Sequence, residues 1–290
     1  MLRHFSTNLK RSSNRSPATL VSFDDTQKSG QSKTHRTSLK LLSYNIQIGI
    51  QSQAYRHYVT RGWQHVLPHS QRSENLDRIA STLSHFDIVA LQEADGGSIR
   101  TGHINQVRYL AEAAGFPYWY QQLNRNLGKL AQHSNGVLSQ LKPQVIEDHK
   151  LPGLLPGRGA IVLRYGSLQV PLVLVILHLS LGQRARNNQL SYIKELIKDY
   201  RHVVVMGDLN SNASAILKQL SPLSERELTS PSGVFNTYPS WKPIHNYDQI
   251  LVSSSLTIKH VEVLDRTLSD HLPIAMEIEL PDAPEFVCAS

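Results

Sequence analysis

A single cysteine, Cys288, stands among 290 residues, which excludes an intrachain disulfide framework and a thiolate-held structural metal. A reducing compartment, the cytoplasm, is the expectation that follows. Long apolar runs are also missing. The longest covers residues 170–177, is interrupted by Pro171 and ends at His178, well short of the roughly 18–20 residues a membrane helix requires. No transmembrane segment is expected, and no apolar stretch follows the basic N-terminal residues as it would in a secretory signal peptide. Residues 41–290 contain no Gly- or Pro-rich linker and no internal repeat, so one domain is the simplest organisation.

The body also lacks an excess of charge. The formal net charge is +7, but residues 1–40 hold eight basic residues (Arg3, Lys10, Arg11, Arg15, Lys28, Lys33, Arg36, Lys40) against Asp24 and Asp25. Of the 30 basic and 23 acidic residues in the chain, 22 and 21 remain beyond residue 40. So balanced a body has no broad cationic surface for a long nucleic-acid tract. The first 40 residues are rich in Ser, Thr, Arg, Asn and Gln without an apolar period, and read as a disordered basic tail. Their early part, Arg- and Ser-rich and free of acids up to Asp24, also suits a mitochondrial presequence or a peripheral contact with an anionic membrane.

From residue 41 to 290, apolar strand-like runs alternate with amphipathic stretches, which predicts α/β or α+β layering with helices covering sheets. Helices are expected over residues 73–86 (Leu76, Ile79, Ala80 and Leu83 on one face), 105–114 (Val107, Leu110, Ala111 and Ala114, with Gly115 as the C-terminal cap) and 187–200. Residues 274–280 alternate instead, with Ile274, Met276, Ile278 and Leu280 inward, as in a strand with one wet face. Aromatic residues gather after Gln51 (Tyr55, Tyr58, Trp63) and from Phe116 (FPYWYQQLNRN), where burial in the core is the plainer reading than ligand contact.

Successive apolar runs end in residues able to bind a hard cation or a phosphate. Residues 41–48 carry Asn45; residues 87–91 run into Gln92-Glu93; residues 170–177 end at His178; and residues 203–206 end in Gly207-Asp208-Leu209-Asn210. Asp248 precedes Ile250, and Ser269-Asp270-His271 precedes the last alternating strand. Taken singly, each has a modest structural reading: a strand-edge amide, a solvated carboxylate, an Asx-turn, a turn cap. Their joint order, with oxygen donors and imidazoles recurring at one sense of the strands, points to a shared rim of the sheet.

The segments LLSYNIQIG, DIVALQEAD, VILHLSLGQRARNNQL, VVVMGDLNSN, HNYDQILVS and LSDHLPIAMEI resemble the ordered motifs of the endonuclease/exonuclease/phosphatase superfamily, which includes pancreatic-type DNases, apurinic endonucleases, neutral sphingomyelinases and inositol polyphosphate phosphatases. GDLN and SDH are the most specific of these. The resemblance implies a DNase I-like four-layer sandwich, two mostly antiparallel β-sheets flanked by helices. It implies Mg2+, with Mn2+ as a substitute, bound at Glu93, Asn45 and Asp270. It further implies that Asp208 orients or deprotonates the attacking water, that Asn210 contacts phosphate, and that His271, paired with Asp248, is the other candidate for the general base. His178 occupies the place of a second histidine found in DNase-like members and absent from apurinic endonucleases.

The implied reaction is in-line attack of water on a phosphate ester, with Arg184 and Arg186 as outlying phosphate clamps and Asn135 shaping the site. HLSLGQRARNNQL is spelled most like small bacterial sphingomyelinase-like members, which favours a lipid or small-molecule phosphodiester as substrate. A nuclease using the basic tail, and an inactive binding scaffold, are the alternatives.

Overall fold

The computed structural model describes residues 19–21, 31–49, 71–126, 128, 130–153, 157–221, 227–281 and 284–289. Fifteen strands are found among them: β1 (Thr19–Val21), β2 (Gln31–His35), β3 (Ser38–Asn45), β4 (Ile88–Asp95), β5 (Tyr118–Asn126), β6 (Gln132–Ser139), β7 (Val145–Lys150), β8 (Gly159–Tyr165), β9 (Leu172–His178), β10 (His202–Asp208), β11 (Leu228–Thr229), β12 (Asp248–Ser253), β13 (Thr257–Val263), β14 (Ile274–Glu279) and β15 (Glu285–Ala289). Four α-helices accompany them: α1 (Gln71–Leu83), α2 (Gln106–Ala114), α3 (Gln183–Ile197) and α4 (Ala213–Leu220). None of these helices is long and apolar enough to cross a membrane.

The strands build two large sheets, ordered β1-β7-β8-β9-β10-β12-β11 and β13-β14-β3-β4-β6-β5, while β15 and β2 form a separate ribbon. Only the β9–β10 and β3–β4 pairs are parallel; the other ladders are antiparallel. Alternation of side chains gives each sheet two apolar faces. Leu39 and Leu41 of β3 meet Ile161, Leu174, Ile176, Val204 and Met276 between the sheets, whereas Leu42 and Tyr44 turn outward against Leu76, Ile79 and Leu83 of α1 and Leu110 of α2. On the other outer face, Val173, Val175 and Val203 pack under Leu190, Ile193 and Ile197 of α3 and Ile216 of α4. The outcome is four layers, helix–sheet–sheet–helix, the DNase I-like sandwich expected. Each fully buried Leu or Ile contributes roughly 1.5–3 kcal/mol.

Helix α2 starts after Asn105, whose side chain accepts from the Arg108 N–H, and ends at Gly115 in the left-handed region. Helix α3 begins at Gln183, four residues before the sequence expectation, because the polar run Gln183–Asn187 has no apolar period of its own. Strand β14 sets Ile274, Met276 and Ile278 inward as expected. The folded body also reaches further back than residue 41: β1 pairs with β7, β2 pairs with β15, and β3 starts at Ser38. The polar edge strand Gln31–His35 carries no hydrophobic alternation, which is why its sequence reads as tail. Phe116 and Tyr118 are buried, and Trp119 and Tyr120 pack against the cores. The aromatic stretch from Gln51 to residue 70 lies outside the described residues, as do residues 1–18 and 22–30.

Candidate active site

Strand direction explains why residues far apart in sequence meet. The parallel pairs bring C-terminal ends together: Asn45 lies beside Gln92, and His178 lies in register with Asp208. Antiparallel neighbours reach the same edge with their N-terminal ends. Asp248 opens β12 opposite Asp208, Asn135 lies early in β6, and Asp270 and His271 lie just before β14. Face-to-face packing of the sheets then merges the two edges into one rim.

At the centre is Asp208. Its Oδ2 accepts from Asn45 Nδ2 at 3.1 Å, and lies 3.4 Å from His178 Nε2 and 3.9 Å from His271 Nε2. Its Oδ1 accepts the backbone N–H of Asn210 at 3.0 Å. The glycine before it is obligatory: Gly207 has φ +144°, and a β-carbon there would stand 1.9 Å from the Leu177 carbonyl oxygen. Asn210, at φ 50°, donates its Nδ2 to the Leu179 carbonyl at 2.9 Å, so its amide nitrogen ties down the loop after β9.

His271 is fixed by its other nitrogen. Nδ1 lies 2.7 Å from Asp248 Oδ2, and Thr237 Oγ1 donates to the same oxygen at 2.5 Å. Asp248 Oδ1 is buried without a partner among the described residues. The Tyr238 ring lies 4.7 Å from the His271 ring, centroid to centroid. Glu93 sits where β4 breaks register with β6, with φ 54°, and its side chain remains about one-third exposed, 3.9 Å from His178 Nε2.

Four carboxylates, three of them buried, thus share a rim with two imidazoles. Burial first, then the neighbouring Asp248 and Glu93 charges, push Asp208 up to about 7 despite His271 nearby. Asp270 rises to about 6, chiefly through burial and through Glu93. For His271, burial opposes protonation, but Asp248, Asp208 and Asp270 together raise it to about 10. His178 is held well below its ordinary value by burial and by Arg158. Such crowding of Glu93, Asp208 and Asp270 is relieved by a divalent cation, so the donor set fits one. Asp208, Asp248 and His271 also offer ligand atoms within 4.8 Å of one another. Of these, Asp248 Oδ2 already serves both Thr237 and His271.

A cleft of about 870 Å³ opens from this rim, reached by Glu93, His178 and Asn135 and continuing to Arg184 in the first turn of α3. Asn135 donates Nδ2 to the Gly159 carbonyl at 3.3 Å and leaves Oδ1 without a partner among the described residues. The two expected arginine clamps separate. Arg184 lines the cleft, whereas Arg186 Nη1 donates to the carbonyls of Ser180 (3.1 Å) and Leu181 (2.8 Å) and Arg186 is not among the cleft residues. Sequence reasoning missed Arg158, which lowers His178 and feels the charges of Glu93 and Asp208, and also missed Arg125, His133 and Thr237. For Arg158 a signal existed, since it directly precedes the apolar run of β8 just as Asp248 opens β12. The others depend on neighbours across strands.

Residues 42–271 match the model of the Endonuclease/Exonuclease/phosphatase family. No curated protein matches the chain. Among solved structures, an endonuclease/exonuclease/phosphatase from Beutenbergia cavernae is 20% identical with a TM-score of 0.65, over 86% of this chain and 73% of that one. A mannosyl-6-phosphatase from Bacteroides thetaiotaomicron is 17% identical (TM-score 0.59, 83% and 99% coverage). D. rerio TDP2 complexed with a single-strand DNA product is also 17% identical (TM-score 0.61, 84% and 100% coverage). At these identities the structural likeness establishes the shared fold.

Proposed function

Because the chain belongs to the endonuclease/exonuclease/phosphatase family of phosphate-ester hydrolases, we propose that it is a Mg2+-dependent phosphodiesterase whose substrate is a small-molecule or lipid phosphodiester. The observation that carries this reading is the linked set Asp248–His271–Asp208 at one rim with His178 and Glu93. A buried carboxylate oriented toward the reacting centre is suited to receive a proton from an attacking water. Asp208 takes that role, oriented by Asn45 and by the Asn210 backbone N–H. Asp248 holds the His271 ring with Nε2 toward Asp208 and favours its charged form, which stabilises negative charge building on the phosphoryl oxygens. His178, 3.4 Å from Asp208 Oδ2, and Arg158 also border the reacting centre. A Mg2+ held by Glu93 and Asp270, or Mn2+ in its place, would supply Lewis acidity to the phosphoryl oxygens and the leaving group.

The test is hydrolysis of bis-p-nitrophenyl phosphate, sphingomyelin, plasmid and abasic DNA and inositol phosphates, each with magnesium or with EDTA, by the wild type and by Asp208→Ala and His271→Ala. The expected result is EDTA-sensitive turnover of the small or lipid esters that falls about 10^2-fold or more in both variants. Faster turnover of DNA than of any small ester would reassign the substrate to nucleic acid. No turnover on any member with magnesium or manganese would leave a binding scaffold.

A further inference from the structure

Beyond the carboxylate–imidazole centre, the cleft has a cationic wall of which the hydrolytic chemistry uses only Arg158. Arg125, Arg158 and Arg184 all line it, with the amides of Asn124 and Asn188, and Glu93 is the one carboxylate among the described lining residues. Four arginines elsewhere pair with carboxylates: Arg36 with Asp87, Arg100 with Asp95, Arg108 with Glu112 and Arg164 with Glu147. The three cleft arginines have no such partner among the described residues. A guanidinium left unpaired on a concave wall is matched in shape and charge to an anion with two or more oxygens.

The three arginines are not equivalent. Arg158 stands beside His178 and feels Glu93 and Asp208, so it belongs with the reacting phosphate. Arg125 lies elsewhere. It pairs across β5–β6 with His133, which pairs in turn with Asp95 of β4, so two strand spacings, about 10 Å, separate its backbone from β4. Its stem lies against Gly157, where a β-carbon would lie 3.2 Å from Arg125 Cβ, at the wall of the cleft. Arg184 reaches the same cavity from the first turn of α3.

We propose that Arg125 and Arg184 form a subsite for a second phosphate on a small-molecule substrate whose reacting phosphate occupies the carboxylate–imidazole centre; the proposal rests on the phosphodiesterase reading above. A cleft of about 870 Å³ has the size of a small-ligand pocket. The near-balance of charge beyond residue 40 supplies no continuing track for a polyanion.

Equilibrium binding to the full chain, measured by calorimetry in EDTA, tests this without turnover. Thymidine 3′,5′-bisphosphate is compared with thymidine 5′-phosphate, using wild type, Arg125→Gln, Arg184→Gln and the two Lys variants. The bisphosphate is expected to bind at least tenfold more tightly to the wild type. That preference should fall below twofold in both Gln variants and return in part with Lys. Equal binding of the two nucleotides by the wild type, or a preference untouched by both Gln variants, overturns the subsite. Decathymidylate binding more than tenfold tighter than the bisphosphate overturns the small-molecule assignment. A protein that hydrolyses no ester yet keeps the preference loses the hydrolase reading and retains the subsite.

Discussion

Asp248 Oδ2 holds His271 Nδ1 at 2.7 Å, which turns the ring so that Nε2 lies 3.9 Å from Asp208 Oδ2. Two carboxylates thus grip one imidazole from opposite nitrogens, one fixing its orientation and the other facing the reacting centre. Asp248→Asn keeps the size of the side chain but removes the charge and presents the wrong donor pattern to Nδ1. Steady-state kinetics on bis-p-nitrophenyl phosphate should show kcat lowered by roughly 10^3-fold with KM little changed, the pattern of an interaction made mainly in the transition state. A change confined to KM would mean that Asp248 serves binding alone.

Gly207→Ala tests why a glycine precedes Asp208. With φ at +144° and 1.9 Å to the Leu177 carbonyl oxygen, a methyl group cannot be placed without moving β9 away from β10. A loss of about 2–3 kcal/mol or more is expected in urea unfolding. A variant as stable as the wild type would show that the strands part easily here.

Asp95 organises the turn after Glu93. It accepts from the backbone N–H groups of Gly97 and Ser98, from the hydroxyls of Ser98 and Thr101, and from Arg100 Nε at 2.6 Å, all within a buried pocket. Asp95→Ala leaves the Arg100 cation buried without its partner, so a stability loss on the order of 3–5 kcal/mol is expected in the same unfolding assay. A loss under about 1 kcal/mol would show that the turn is held by its backbone alone.

His133 supplies a pH dependence. Burial, and then the Arg100 cation, lower its proton affinity below the ordinary 6.5. Between that lowered value and 6.5 the unfolded chain binds more protons than the folded one. Its contribution to stability is therefore complete above 6.5 and declines as pH falls. The wild type should lose more thermal stability than His133→Gln between pH 7.5 and pH 5.5; equal losses would assign the acid sensitivity elsewhere.

These residues also show where sequence is informative and where it is not. Asn45, Glu93, His178 and Asp208 follow apolar runs, and Asp248, Asp270 and His271 precede them, so the border between an apolar run and a polar residue marks each of them. The capped helix α2 and the alternating β14 were legible because their periods are local. Arg125 and Thr237 carry no such mark: the first acquires its place from β6 and Gly157, the second from an oxygen of Asp248. Arg184 and Arg186 look alike in sequence, and the turn of α3 that begins at Gln183 sends one into the cleft and the other back to Ser180 and Leu181. Strand β2 stayed hidden because a polar edge strand has no hydrophobic pattern to read.

The most direct test of the central claim is the rate of bis-p-nitrophenyl phosphate hydrolysis as a function of magnesium concentration, for wild type and Glu93→Gln. The account predicts that EDTA abolishes turnover and that Glu93→Gln needs at least tenfold more magnesium to reach half of its maximal rate, since one carboxylate of the cation-holding set is gone. Turnover that persists in EDTA, or a magnesium dependence identical in the two proteins, would contradict it.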